Sequence, residues 1–218
     1  MHKYVIFGAS YFAEMLAYYV EKYDDVDVLA YTVDRKYIDK SEIYGKPLVA
    51  FEDLDKLYDM SNVYVLIALG YKNMNDIRKA KYLEAKSKGY KIAGFVHPEA
   101  YIEKCDMGEG NIILERVNIG HGVRLGNCNI LWNSAVIQHD CDISDFNFIA
   151  GGSVFGGKVT VRDNCFFGLN CTIRSAITVE NYTLAGAGCY VSKSTESNCV
   201  YVPERTKMLE GKISKDFM

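Results

Sequence analysis

Hydrophobic and polar positions follow two different periods along this chain, and the change comes near residue 98. Ahead of it, short apolar runs alternate with amphipathic stretches. "KYVIFGAS" reads as a buried strand running into a glycine turn, and "YFAEMLAYYVEKY" then spaces Phe12, Met15, Leu16 and Tyr19 along one helical face. "DVDVLAYTVD" predicts a second strand ending on Asp34, and "NVYVLIALG" a third ending at Gly70. "NMNDIRKAKYLEAKSKG" predicts a helix closed by Gly89, and "YKIAGFVHP" a fourth strand stopped by Pro98. Strands alternating with helices predict a small Rossmann-like parallel sheet, an α/β domain over residues 1–98.

Beyond residue 98 the period shortens to six. Stepping by six from Met107 to Val191 meets fifteen apolar residues without a break. The next position is often glycine, as at Gly108, Gly120, Gly126, Gly156, Gly168 and Gly186, where a turn wants a permissive backbone. Two positions ahead of the apolar residue the side chain is small or β-branched, and Cys141, Cys165, Cys171 and Cys189 fall in this slot. One deep apolar residue, one small residue and a glycine turn make the hexapeptide unit of an all-β parallel β-helix, here over residues 99–218 with a C-terminal cap. Three units make one coil, so equivalent residues lie 18 apart and stack at about 4.8 Å. Fifteen units predict five coils, with the α/β domain capping one end and the segment after Val191 the other.

Composition narrows the function. The chain has 218 residues, 49% hydrophobic and 24% charged, with a net charge of -3. That balance offers no basic field for nucleic acid or an anionic membrane. No apolar run approaches the length of a membrane span and no leader pattern opens the chain, so a soluble, cytoplasmic protein is expected. Seven cysteines without CxxC spacing are expected as reduced packing residues.

Candidate chemistry rests on few residues. The histidines are His2, His97, His121 and His139. His139, in "SAVIQHDCDIS", lies two residues after the interior Ile137, outside the buried ladder and near a corner. His121 holds the same slot one coil earlier, which raises zinc binding as a competing idea. A β-helix zinc site of the gamma carbonic anhydrase type needs three imidazoles, however, and His97 precedes the repeats while His2 is at the terminus. No metal is therefore expected. In "GASYFAE" only Gly8 matches the three-glycine dinucleotide motif, so a full NAD site is not expected. Two accounts of Gly8 stand: it simply makes the turn, or the free N–H groups after it hold an anion. Asp34 and Gly70, at the carboxyl ends of neighbouring strands, would line a ligand crevice.

The GAS-type turn, "GFVHPEA" and the repeats containing "VIQHDCDI" resemble the family of sugar-nucleotide N-acetyltransferases and sialic acid O-acetyltransferases. The resemblance covers nearly the whole chain. It implies a left-handed β-helix, a homotrimer, acetyl-CoA as co-substrate in the groove between adjacent prisms, and a sugar nucleotide on the N-terminal domain. It makes His139 the general base, imidazole being the side chain whose ordinary pKa lies closest to neutral pH. Asp140 then fixes the tautomer, which requires a bend because neighbours on a strand face opposite ways; the alternative is a solvated corner carboxylate. The backbone N–H of Gly157 would receive the oxyanion. Gly186 and Ala187, in "LAGAGCYV", would hold the pantetheine arm, with Lys193, Arg205 and Lys207 at the coenzyme phosphates. Gly8, Ser10 and Tyr11 would cradle the diphosphate and Asp34 the base or ribose. "GYKNMNDIR" adds Asn73 or Arg78, an ordinary exposed arginine at a helix start being an equal account of the latter. Phe148 stands where some relatives carry a second histidine. The expected activity is transfer of acetyl from acetyl-CoA to the amine of a nucleotide-linked amino sugar for surface glycan. The rivals are O-acetylation of a sugar hydroxyl, a zinc-dependent hydratase and a non-catalytic trimeric scaffold.

Overall fold

The computed structural model describes residues 2–204, 206–210 and 213–217. Its first part comprises strand β1 (His2–Phe7), helix α1 (Tyr11–Tyr23), β2 (Val26–Val33), β3 (Glu42–Ile43), β4 (Lys46–Ala50), the short helix α2 (Leu54–Leu57), β5 (Val63–Ile67), helix α3 (Asp76–Ser87) and β6 (Lys91–Ala93). They form one sheet in the order β3-β4-β2-β1-β5-β6. All neighbours are parallel except β3 and β4, a hairpin turned by Tyr44 and Gly45 at φ 50° and 72°. The hydrophobic period did not predict this hairpin, because β3 is only two residues long and β4 carries Pro47.

The expected fourth strand is split. Lys91–Ala93 stays in the sheet as β6, whereas Phe95–Val96 pairs with Ile112–Ile113 and begins the second half of the molecule. The chain changes sheets at Gly94, where a Cβ would stand 2.7 Å from the carbonyl oxygen of Asn111.

The second half is a left-handed parallel β-helix with three flat faces of seven, six and five strands. Its registers step by one coil, as in Ile112↔Ile130 on the first face, Val136↔Val154 on the second and Asp142↔Thr160 on the third. Strands at Phe95, Tyr101 and Val200 extend it past the five expected coils at both ends. From Ile113 to Val191 every ladder residue is buried, and so are the four cysteines of the small-residue slot. Burial pushes the Cys165 thiol up to about 12, which fits a packing role.

The corner glycines are there for a different reason than a turn. Left-handed backbone falls three residues after each ladder position from Met107 to Ala185, at Gly122 and Gly152 but also at Asp140, Asn164 and Asn170. Glycines directly after the ladder leave room for the next coil: a Cβ on Gly126 would lie 2.2 Å from Asp145 Oδ1. Buried Asn111, Asn129 and Asn147 form a second ladder, each side-chain oxygen accepting the backbone N–H one coil on, at 2.8, 2.9 and 2.8 Å. These amides satisfy donors that the tight corner would otherwise strand.

The α/β domain does not simply cap the prism. It lies along the first face, where Ile6, Leu16 and Ala13 share a core with Ile112, Ile130 and Phe148, and Phe12 stacks on Trp132 at 5.5 Å. The cause is that the outward residues of this face are also apolar, so burying them decides the docking.

Candidate active site

His139 follows the strand Val136–Ile137 at the corner between the second and third faces, with its side chain exposed. Asp140 sits at φ 56°, the left-handed region that aspartate tolerates better than most residues. That bend turns its carboxylate back, and His139 Nδ1–H donates to Asp140 Oδ2 at 3.0 Å. The hydrogen bond from His139 holds the Asp140 carboxyl below its ordinary range against desolvation, helped by the charge fields of His139, Lys158 and His121. An ionised carboxylate can only accept, so Nδ1 is the donor, and in the neutral imidazole this tautomer puts the lone pair on Nε2.

Two glycines make space for this pair. A Cβ on Gly122 would lie 2.8 Å from Asp140 Oδ1, and one on Gly157 would lie 2.5 Å from His139 Nε2. The Gly157 N–H donates to no acceptor among the described residues. An open ring nitrogen and an unused backbone donor therefore sit side by side. Such an arrangement can remove a proton from a nucleophile and stabilise the anion that its attack creates.

His121 shares the His139 corner, Asp140 N–H donating to the His121 carbonyl at 2.9 Å, but the next coil offers Gly157 in that column. His97 is buried against Tyr19, Tyr23 and Phe95 instead. Among the described residues no group of three His, Cys, Asp or Glu side chains could hold a metal ion.

Lys193 stands exposed in the His139 column three coils away. Gly186 and Ala187 lie on another edge, between the first and second faces, where Ala187 lines a cleft of about 380 Å³. Its walls are Tyr71, Trp132, Phe148, Phe166 and Leu169, its floor is Gly151, Gly168 and Ala150, and Asn133 is the one side-chain amide. Phe148 and Phe166 stack at 5.5 Å with 13° between planes, and Tyr71 meets each ring at 4.8 Å. Within one chain the proposed pantetheine residues are thus not beside His139. Lys207 is exposed, and Arg205 lies outside the described residues.

At the strand ends of the α/β sheet, Gly8 has φ 136°, and a Cβ there would lie 2.8 Å from the Ala68 carbonyl oxygen. Packing alone therefore requires glycine at this turn. Ser10 precedes α1 with no side-chain capping bond, and Tyr11 is 75% exposed, so both are open to a ligand. Asp34 is gripped by Lys81 at 2.5 Å, and the same ammonium reaches Glu84. Asn73 is left-handed, with Nδ2 3.4 Å from Asp76 Oδ2. Arg78, taken as exposed or as a substrate contact, is neither: it is 1% exposed and donates to five main-chain carbonyls, among them Gly70 at 2.6 Å and Cys128 at 3.0 Å. Burial lowers its pKa to about 10.

No protein-family model matches the sequence. Solved structures do match. A histidine-to-alanine mutant of GDP-perosamine N-acetyl transferase from Caulobacter crescentus, in complex with CoA and GDP-perosamine, superposes with a TM-score of 0.83 at 21% identity, covering 92% of this chain and 93% of that one. The acetyltransferase domain of PglB from Neisseria gonorrhoeae FA1090 gives 0.78 at 21% identity, over 92% and 96%. WeeI from Acinetobacter baumannii AYE gives 0.77 at 16% identity, over the same shares. This chain has the fold of these proteins, two of which are acetyltransferases by name.

Sequence reasoning missed the aromatic cleft, although a signal was present. On the first face the residue ahead of the ladder is apolar coil after coil, giving the doublets "II", "IL", "FI", "FF" and "LA", whereas the third face has Arg124, Asp142 and Thr160 there. A doublet every 18 residues marks a face that is buried on both sides. Lys81 was also missed, being one lysine among many on a polar helix.

Proposed function

We propose that this chain is an acetyl-CoA-dependent N-acetyltransferase that modifies the amino group of a nucleotide-linked amino sugar, works in the cytoplasm on precursors of surface glycan, and assembles as a homotrimer. The observation that carries the reading is the His139 ring, with Nδ1 paired to Asp140 and Nε2 facing Gly157, on a fold shared along nearly its whole length with a sugar N-acetyltransferase.

Residues 1–98 serve as the nucleotide-sugar domain and residues 99–218 as the transfer domain. Gly8, Ser10 and Tyr11 receive the diphosphate; Asp34, Gly70 and Asn73 line the nucleotide and sugar. Gly186 and Ala187 carry the pantetheine arm and Lys193 a coenzyme phosphate. The amine attacks the thioester carbonyl while His139 Nε2 takes its proton, the new C–N bond forming as charge gathers on oxygen beside the Gly157 N–H. Collapse breaks the C–S bond, and the imidazolium returns the proton to the departing thiolate. Because the His139 corner and the Ala187 cleft are separate edges of one prism, a second copy must bring them together, which supports the trimer.

The deciding experiment offers the purified protein acetyl-CoA with nucleotide-linked amino sugars and their hydroxyl counterparts, and follows free thiol. Turnover with an amino sugar is expected. Release with hydroxyl sugars only would replace N-transfer by O-transfer, and no release with any acceptor would overturn the acetyltransferase reading.

A further inference from the structure

The segment Gly70–Asn75, between β5 and α3, is held in a costly conformation. Asn73, Met74 and Asn75 follow one another in left-handed backbone at φ 53°, 48° and 69°, a run that non-glycine residues adopt only when their surroundings impose it. The surroundings are on the β-helix. Asn75 Nδ2 donates to the Cys165 carbonyl at 3.0 Å, and Asn164 Nδ2 donates to the Met74 carbonyl at 3.0 Å. Arg78 closes the arrangement, its guanidinium joining Gly70 on one side to Cys128, Phe146 and Asn147 on the other at 2.6 to 3.1 Å. No carboxylate pairs with this buried cation among the described residues. The residue this brace aims is Tyr71, which leans on Phe148 and Phe166 at the wall of the cleft.

We propose that Arg78 is a positioning residue for acceptor recognition: it locks the Gly70–Asn75 turn to the β-helix so that Tyr71, Phe148 and Phe166 form the platform on which the sugar ring of the nucleotide-linked substrate rests. Aromatic faces suit the C–H face of a sugar ring, with Asn133 and the unpartnered, buried Trp132 Nε1 as the few polar groups. The turn leaves the same end of the sheet as Gly8, whose Cβ position abuts Ala68, so a nucleotide at the strand ends and a sugar in the cleft are contiguous. This inference rests on the acetyltransferase reading.

The test compares steady-state constants once the wild type has been shown to turn over an amino sugar, so that failure of the underlying reading is seen first. Tyr71→Ala is expected to raise the KM for the nucleotide sugar at least about tenfold, with the KM for acetyl-CoA within about twofold. Tyr71→Phe should behave as wild type. Arg78→Lys keeps a cation but cannot span the carbonyls, and should reproduce the acceptor-only change. Should it not fold, Asn164→Ala releases Met74 and is judged by the same criterion. An unchanged acceptor KM in Tyr71→Ala would overturn the platform. A fall in kcat with both KM values rising together in the Arg78 or Asn164 variant would reduce the brace to a structural role.

Discussion

The two edges that bound the second face of the β-helix differ in almost every physical respect. The edge carrying His121, His139, Gly157 and Lys193 is polar and open, and its His139–Asp140 pair is held by one hydrogen bond and fits beside two glycines. The edge carrying Asn133, Gly151, Leu169 and Ala187 borders an aromatic cleft that the α/β domain presses from outside. Proton transfer wants a group that water and substrate can reach; ring recognition wants preformed apolar walls. A single chain separates the two, and the proposed trimer joins one chain's base to its neighbour's cleft.

The largest effect should come from the polar edge. His139→Ala is expected to lower kcat by about 10²–10⁴ while leaving the thermal melt in place, since the ring is 57% exposed and lies outside the buried ladder. Activity near the wild-type level would remove the base from the comparison. Mixing that variant with Ala187→Trp, which fills the cleft of otherwise intact chains, is expected to restore about a quarter of wild-type thiol release after subunit exchange. No recovery would mean that base and cleft of the same chain cooperate. Asp140→Asn should cost roughly tenfold in kcat through loss of tautomer control. Because its carboxyl is held below the ordinary range, Asp140 is already ionised across about pH 6–9, so its own titration should add no inflection to the wild-type pH-rate profile in that window. Lys193→Ala, an exposed charge, should raise the KM for acetyl-CoA about two- to threefold and flatten its dependence on salt.

Much of this was legible in the sequence because a six-residue period leaves few alternatives: one side chain in six points deep inward, and the slot two residues ahead of it holds mostly Val, Ala, Ser, Thr or Cys, with Asn at 111, 129 and 147 where a corner N–H needs an acceptor. The same register places His139 outside the core, and the bend at Asp140 that the acid–base pair requires is present. Arg78 was misjudged because nothing local distinguishes an arginine at the start of an exposed helix from one whose guanidinium will meet carbonyls of residues fifty and more positions away. The hairpin β3–β4 escaped notice for the opposite reason, being too short to show a period.

Local and periodic facts, namely the strand-helix alternation before residue 98, the hexapeptide ladder after it and the exposed histidine at a corner, were determined by the sequence alone, since each depends on spacing along the chain. Tertiary structure decided the rest. Where the α/β domain lies, which carbonyls Arg78 gathers, and how Tyr71 reaches Phe148 and Phe166 all depend on surfaces distant in sequence, whose shapes exist only once both halves have folded and packed.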